Sequence, residues 1–193
     1  MGSVQYSHLN KITKDIWQWC ERRNIFIFAS YINTKDNFEA DQLSRKKFED
    51  TEWELNDKSF SEIINNFGIP DIDLFASRHN TKCFIYVTWK NDPDAWAIDA
   101  FTISWSDIFF YAFPPFSLIV RLMQKIITDK AEGIVVVPYW PTQPWFPIFN
   151  KLLASKPLYF HPDINLLKSP FRTSHSLYKT LTLVAAKLSG RYY

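Results

Sequence analysis

Ile108-Phe-Phe-Tyr-Ala-Phe113-Pro-Pro-Phe-Ser-Leu118-Ile-Val-Arg-Leu122-Met-Gln-Lys-Ile126-Ile-Thr-Asp-Lys-Ala-Glu-Gly133-Ile-Val-Val-Val-Pro138 is the stretch that decides the fold. Its first four residues are strong β-formers, and the run meets Pro114-Pro115, where a strand must stop. Leu118, Ile119, Leu122, Met123, Ile126 and Ile127 then recur at helical spacing, while Arg121, Gln124, Lys125 and Asp129 fall on the opposite side. Gly133 breaks that helix. Ile134 to Val137 is a β-branched run without polar alternation, as expected of a strand covered on both faces in a parallel sheet. Strand, helix, strand in this order is a βαβ crossover, so the class is α/β.

Working outward, Phe60, Ile63, Ile64 and Phe67 predict a helix over Ser59 to Phe67, stopped by Gly68 and Pro70. Ile72 to Phe75 and Cys83 to Val87 read as strands, Trp145 to Ala154 as a helix, and Leu158 to Phe160 as a further strand. Beyond Pro162 the pattern fades, and Leu177 to Leu188 reads as a helix. At the other end, Leu9, Ile12, Ile16 and Trp19 or Cys20 predict a helix from Ser7 to Arg22, and Ile25 to Ala29 reads as a buried strand. The charge-rich residues 49–56 read as a linker between the two regions.

The chain has 193 residues, 47% hydrophobic and 18% aromatic with four glycines, which excludes a disordered or low-complexity protein. Its 22 basic and 20 acidic residues balance too closely for charge alone to indicate a nucleic-acid partner. From Lys151 onward, seven Lys or Arg face only Asp163, so this segment either meets phosphate or is a solvated basic face. Cys20 and Cys83 form no metal or disulfide pattern, and no apolar run reaches membrane-spanning length, so no membrane partner is expected. His79, His161 and His175 have no second ligand at metal spacing and read as surface or structural residues. A reducing intracellular compartment, cytoplasmic or nuclear, is expected.

Tyr31 to Arg45 carries Asn37, Ala40, Asp41, Ser44 and Arg45, and resembles the last strand-to-helix passage of retroelement ribonucleases H. That resemblance implies a helix-strand-helix fragment in residues 1–48, truncated at its start, and makes Asp41 the last of four carboxylates that hold two magnesium ions in a parent enzyme. One carboxylate does not support two-metal hydrolysis, so no cleavage is expected of the isolated chain. The alternative for Asp41 is a helix cap.

From about Asp57 to Leu153 the chain is similar to phage-type DNA N6-adenine methyltransferases. Asp73-Leu-Phe-Ala-Ser77 with Asn80, Asp99-Ala-Phe with Trp105, Phe113-Pro114-Pro115-Phe116, and Val136-Val137-Pro138 with Trp145-Phe146 carry the likeness. It implies a Rossmann-like, mostly parallel sheet over 57–162, with S-adenosylmethionine the possible cofactor and Asp73, Ser77 and Asp99 its binding residues. The catalytic turn departs from the family at Phe113, where a polar residue normally accepts hydrogen bonds from the adenine amine. Phe113 has no lone pair to offer, so Phe113, Pro114, Pro115 and Phe116 form a degenerate motif in which only Phe116 retains its stacking role. For Asp73 and Asp99, capping of their own loops is the alternative.

Ile16 to Arg22, Phe28 to Ile32, Tyr111 to Ile119 and Pro138 to Trp145 together resemble the polyprotein of DIRS-type retrotransposons, which use a tyrosine recombinase. This resemblance spans nearly the whole chain. It implies a fragment of a reverse transcriptase/ribonuclease H polyprotein, with the rest of that polyprotein and nucleic acid (DNA or RNA·DNA hybrid) as partners, and a basic extension over 163–193. Tyr139, Trp140, Trp145 and Phe146, set among prolines after a parallel strand, are candidates for stacking on bases. Packing on their own domain is the alternative.

Overall fold

The computed structural model describes residues 7–23, 25–26, 53–170 and 172–191. The chain divides into two compact units, residues 1–47 and 48–193. In the first, helix α1 spans Ser7–Glu21, close to the range that the apolar spacing predicts. Asp41 lies outside the described residues, as does the expected strand over Ile25 to Ala29 apart from Ile25 and Phe26, which have no regular structure.

The second unit is built on a seven-stranded sheet of β2 (Ile72–Asp73), β3 (Ile85–Thr88), β4 (Ala97–Ile98), β5 (Phe109–Ala112), β6 (Glu132–Pro138), β7 (Leu158–Phe160) and β9 (Leu183–Ser189). Their spatial order is β4-β3-β2-β5-β6-β9-β7. Neighbours from β4 to β6 run parallel, and β9 is antiparallel to both β6 and β7. A separate two-stranded ribbon pairs β1 (Glu54–Leu55) with β8 (Leu167–Lys168).

Alternation of side chains along the central strands makes two cores. Phe110, Ala112, Val135 and Val137 share a cluster with Ile119, Leu122, Met123 and Ile126 of α3 (Ile119–Thr128) and Phe149 and Leu152 of α4 (Phe146–Leu152). Tyr111, Ile134 and Val136 face the other way, clustering with Ile63 of α2 (Asp57–Phe67), Leu55 and Leu167. Helices on one face and a helix with a ribbon on the other explain why β6 shows no polar alternation. The apolar stripe of α3 is therefore its buried face, and Arg121 and Gln124 are exposed on the other.

Four expectations are corrected here. The helix α2 starts two residues early because the Asn56 side chain accepts from the Ser59 N–H at 2.8 Å and caps it; at the other end Gly68 supplies φ 97 for the stop. Residues 49–56 are not only a linker, since Glu54–Leu55 is a strand and Leu55 is fully buried. Gly133 does not end a helix but lies inside β6, where a Cβ would sit 2.6 Å from the Phe110 ring. Leu177 to Leu188 is not a helix: β9 pairs from Glu132↔Ser189 through Pro138↔Leu183 and fills the sheet between β6 and β7. Within the expected extension 163–193, Leu183–Ser189 thus lies inside the sheet of the second unit. The Leu, Ala and Lys of β9 favour a helix locally, and pairing with two strands overrides that preference.

Candidate functional site

Chain connections leave β2 toward β3 on one side and reach β5 on the other, so the sheet order reverses between β2 and β5. In open α/β sheets, ligands bind outside the carboxyl ends of strands at such a reversal. Two cavities open there, and Pro115 lines both.

The loop after β2 is built by its own polar residues. Asp73 is 3% exposed and accepts from the backbone N–H of Phe75 (3.3 Å) and Lys82 (3.0 Å). Burial pushes its carboxyl up to about 7, against the opposing pull of those two N–H groups and the Lys82 charge. The Ser77 N–H donates to the Asn80 side-chain oxygen at 2.7 Å, and the His79 N–H donates to Ser77 Oγ. Asp73 and Ser77 thus shape the loop, and neither lines the larger cavity; Ala76 and Asn80 do.

That larger cavity has a volume of about 410 Å³, within the range of small-molecule sites. Leu74, Phe75, Ala100, Phe101 and Leu118 make its apolar wall, with Trp89 and Arg121 also lining it. Asp99 is the one expected cofactor acid that reaches it. Its backbone is held at φ 58, and its Oδ1 accepts from the Phe101 N–H at 3.0 Å, capping the short 3-10 turn over Ala100–Thr102. Arg121 lays its guanidinium 3.9 Å above the Phe101 ring.

The second cavity, about 190 Å³, is walled by Trp53, Phe113, Pro114, Pro115, Phe116, Leu167 and His175. The four residues of the Pro-Pro turn therefore come together as the sequence suggests, and they do so under the β1–β8 ribbon, which contributes Leu167. Trp53 and His175 meet edge to face at 4.9 Å, and Phe116 packs edge-on to Trp140 at 5.2 Å. Behind Phe113 and Trp53 lies a recess of about 10 Å³ that also touches Asp73, Lys82 and Tyr111. Tyr111 is 2% exposed, and its hydroxyl has no hydrogen-bond partner among the described residues. Lys82 closes this recess by bridging Glu54 at 2.6 Å and Asp57 at 2.9 Å, which ties the β2 loop to the ribbon and to α2.

The aromatic residues after β6 do not form one open ladder. Trp145 is buried in the core against Phe149, so the expectation that its face meets a base is corrected. Phe146 stacks on Phe149 at 5.8 Å. Tyr139 is the exposed member, held edge-on by Phe146 and Tyr159, and Trp140 turns toward Phe116. Closely spaced prolines give this loop its rigidity, and the rings use it mainly to pack inward.

Trp53, Trp89, Arg121 and His175 are lining residues that the sequence reading did not select. Trp53 lay inside what read as a linker. Arg121 lay on the helix side opposite the apolar stripe, a position usually solvated, and His175 is aligned by accepting from the Leu177 N–H rather than by any metal spacing. Only the position of Trp89, just past the end of a strand, offered a signal.

Among the described residues no group of three His, Cys, Asp or Glu is placed to hold a metal ion, and no helix is long and apolar enough to cross a membrane. Neither a protein-family model nor a curated protein matches the chain.

Proposed function

We propose that the chain is a piece of a DIRS-type retroelement reverse transcriptase/ribonuclease H polyprotein, and that its second unit is a methyltransferase-like, Rossmann-type module that binds nucleic acid without transferring a methyl group. The observation that carries this reading is the aromatic cavity at Pro114-Pro115, at the point where the strand order reverses. Numbered along the chain, the seven strands run 3-2-1-4-5-7-6, and the first five positions follow the order of doubly wound nucleotide-binding sheets. Such a cavity suits an unstacked base: Phe116 and Trp53 offer ring faces, each stacked base being worth about 1–3 kcal/mol. Phe113 fills the wall with carbon, so an exocyclic amine entering there finds no side-chain acceptor from that position. Asp41 and its magnesium belong, on this reading, to the parent ribonuclease H, which operates inside the cell with the remainder of the polyprotein.

A second reading, a methyltransferase with a degenerate motif, is favoured by one feature: Pro115 is wall to both cavities, so a donor in the larger and a base in the smaller would meet there. The larger cavity is of suitable size for S-adenosylmethionine, with Asp99 to accept a hydrogen bond and Phe101 and Leu118 to face the adenine. When bound, that cofactor supplies an activated methyl group; this chain's residues would only bind and orient it. Transfer of labelled methyl from S-adenosylmethionine to single- or double-stranded DNA separates the readings. We expect binding of a single-stranded oligonucleotide and no label incorporated. Labelled N6-methyladenine in the product would establish the second reading.

A further inference from the structure

We infer that the larger cavity is a nucleotide site, selective for a ligand that joins an aromatic base to a phosphate, rather than for an uncharged nucleoside or a zwitterionic sulfonium. The inference goes beyond the nucleic-acid reading of the aromatic cavity and does not depend on it.

The cavity is mostly apolar, with Asn80, Thr88, Asp99, Ser117 and Arg121 as its polar lining residues, the pattern of a site that orients a small ligand. Phe101, Leu118 and Trp89 are among its lining residues and offer apolar surface to a flat ring. Trp89 is 59% exposed although it stands just past the end of a buried strand, and the Lys90 ammonium lies over its ring at 4.6 Å, which leaves one ring face for a base. Asp99 uses Oδ1 to accept from the Phe101 N–H, while Oδ2 has no donor among the described residues. That oxygen is a ready acceptor for a base amine or a sugar hydroxyl.

Arg121 decides the charge of the ligand. It lies in the first turn of α3, lines the cavity, and places its guanidinium carbon 3.9 Å from the Phe101 ring centroid. No carboxylate pairs with it among the described residues, unlike Lys82, Lys125, Lys168 and Lys187, each of which meets an acid within 2.9 Å. A cation–π contact anchors the guanidinium without using its N–H donors, which suits them to paired contacts with phosphate oxygens. An adenosine without phosphate leaves these donors unused, and a sulfonium brings a positive charge toward the same region. The shared chemistry fits a free mononucleotide and equally the phosphorylated end of a strand.

Isothermal titration of the full chain with adenosine 5′-monophosphate, adenosine and S-adenosylmethionine tests this. We expect the monophosphate to bind about tenfold or more tightly than adenosine, reflecting charge-assisted hydrogen bonds. Arg121→Gln should erase that ratio by weakening the monophosphate far more than adenosine, and Trp89→Ala should weaken both ligands together. Equal affinity for monophosphate and adenosine, tighter binding of S-adenosylmethionine, absence of binding by all three, or a ratio unchanged in Arg121→Gln would each overturn the assignment. Competition with a 12-residue oligodeoxyadenylate bearing or lacking a 5′-phosphate identifies the source: displacement only by the phosphorylated strand assigns the site to a strand end, and none assigns it to the free nucleotide. Phe116→Ala should leave monophosphate binding intact, so failure of the aromatic cavity as a base site is distinguishable from failure here.

Discussion

The two cavities at the carboxyl edge of the sheet share Pro115 and little else. The larger one is bounded by the loops after β2, β3 and β4, and its apolar wall carries an acid and a guanidinium within reach of a ligand. In the smaller one, rings and prolines from the Pro-Pro turn meet the ribbon side of the molecule, and the nearest buried polar groups lie behind Phe113 in a separate recess. The lesson is that one sheet edge hosts two kinds of recognition. Charge and hydrogen bonds can select a ligand in the first, whereas stacking without an acceptor from Phe113 allows the second to hold a base without orienting its amine for chemistry.

The sharpest way to break the comparison is through Asp73, which lines the recess behind Phe113. Its folded-state carboxyl is raised to about 7, above the ordinary value of 3.8, so the folded protein retains a proton that the unfolded chain releases. Stability from this group is fully present below about pH 4 and is lost as pH rises toward 7. Acidification from pH 8 to about 4 should therefore stabilise the second unit, by up to about 4 kcal/mol if the whole shift is expressed. Asp57 and Asp92 work in the opposite sense at lower pH: Lys168 and Lys82, and Arg78, respectively hold their carboxyls down to about 2, and their contributions fade as pH falls from 4 toward 2. Urea denaturation across this range should give a maximum near pH 4 to 5, and Asp73→Asn should remove the slope above it. A slope unchanged in Asp73→Asn would remove Asp73 from this role.

Lys82 is the next lever. It is nearly buried and bridges Glu54 and Asp57, so Lys82→Met leaves Glu54 without its partner and should cost about 3 kcal/mol in urea denaturation. Because this bridge ties β1 to the β2 loop, the variant should weaken oligonucleotide binding to the smaller cavity more than nucleotide binding to the larger. Equal losses at both would mean that the cavities are not separately supported. The smallest expected effect is at Tyr111. Its buried hydroxyl has no hydrogen-bond partner among the described residues, so Tyr111→Phe should be neutral or stabilise by about 1 kcal/mol, measured as a shift in thermal midpoint; a loss of stability would show that the hydroxyl is engaged.

Much of the frame was legible in the sequence because periodicity and burial agreed. The α3 stripe, the Val-rich β6 and the Pro-Pro stop after β5 each follow from a local rule that the tertiary structure respects. Strand β9 was not legible: Leu183-Val-Ala-Ala-Lys-Leu carries helix-favouring residues, and its strand conformation follows from pairing with β6 and β7, elements far away in sequence. The site divides in the same way. Pro-Pro spacing and Asp99 located the cavities, since such turns and caps are set locally. Arg121, Trp53 and His175 reach them only through packing between distant segments, which one-dimensional spacing does not encode. Asp73 carried the motif resemblance yet uses its carboxylate on its own loop, because both Phe75 and Lys82 N–H groups converge on it.

The central claim is tested most directly by fluorescence anisotropy of a labelled single-stranded oligonucleotide with the wild-type chain and with Phe116→Ala, each first shown to be folded. Loss of one stacking partner should weaken binding about tenfold at fixed salt, within the range measured for base–aromatic contacts. Wild-type affinity retained in Phe116→Ala, or no binding by the wild type, would contradict a base-holding cavity at the Pro-Pro turn.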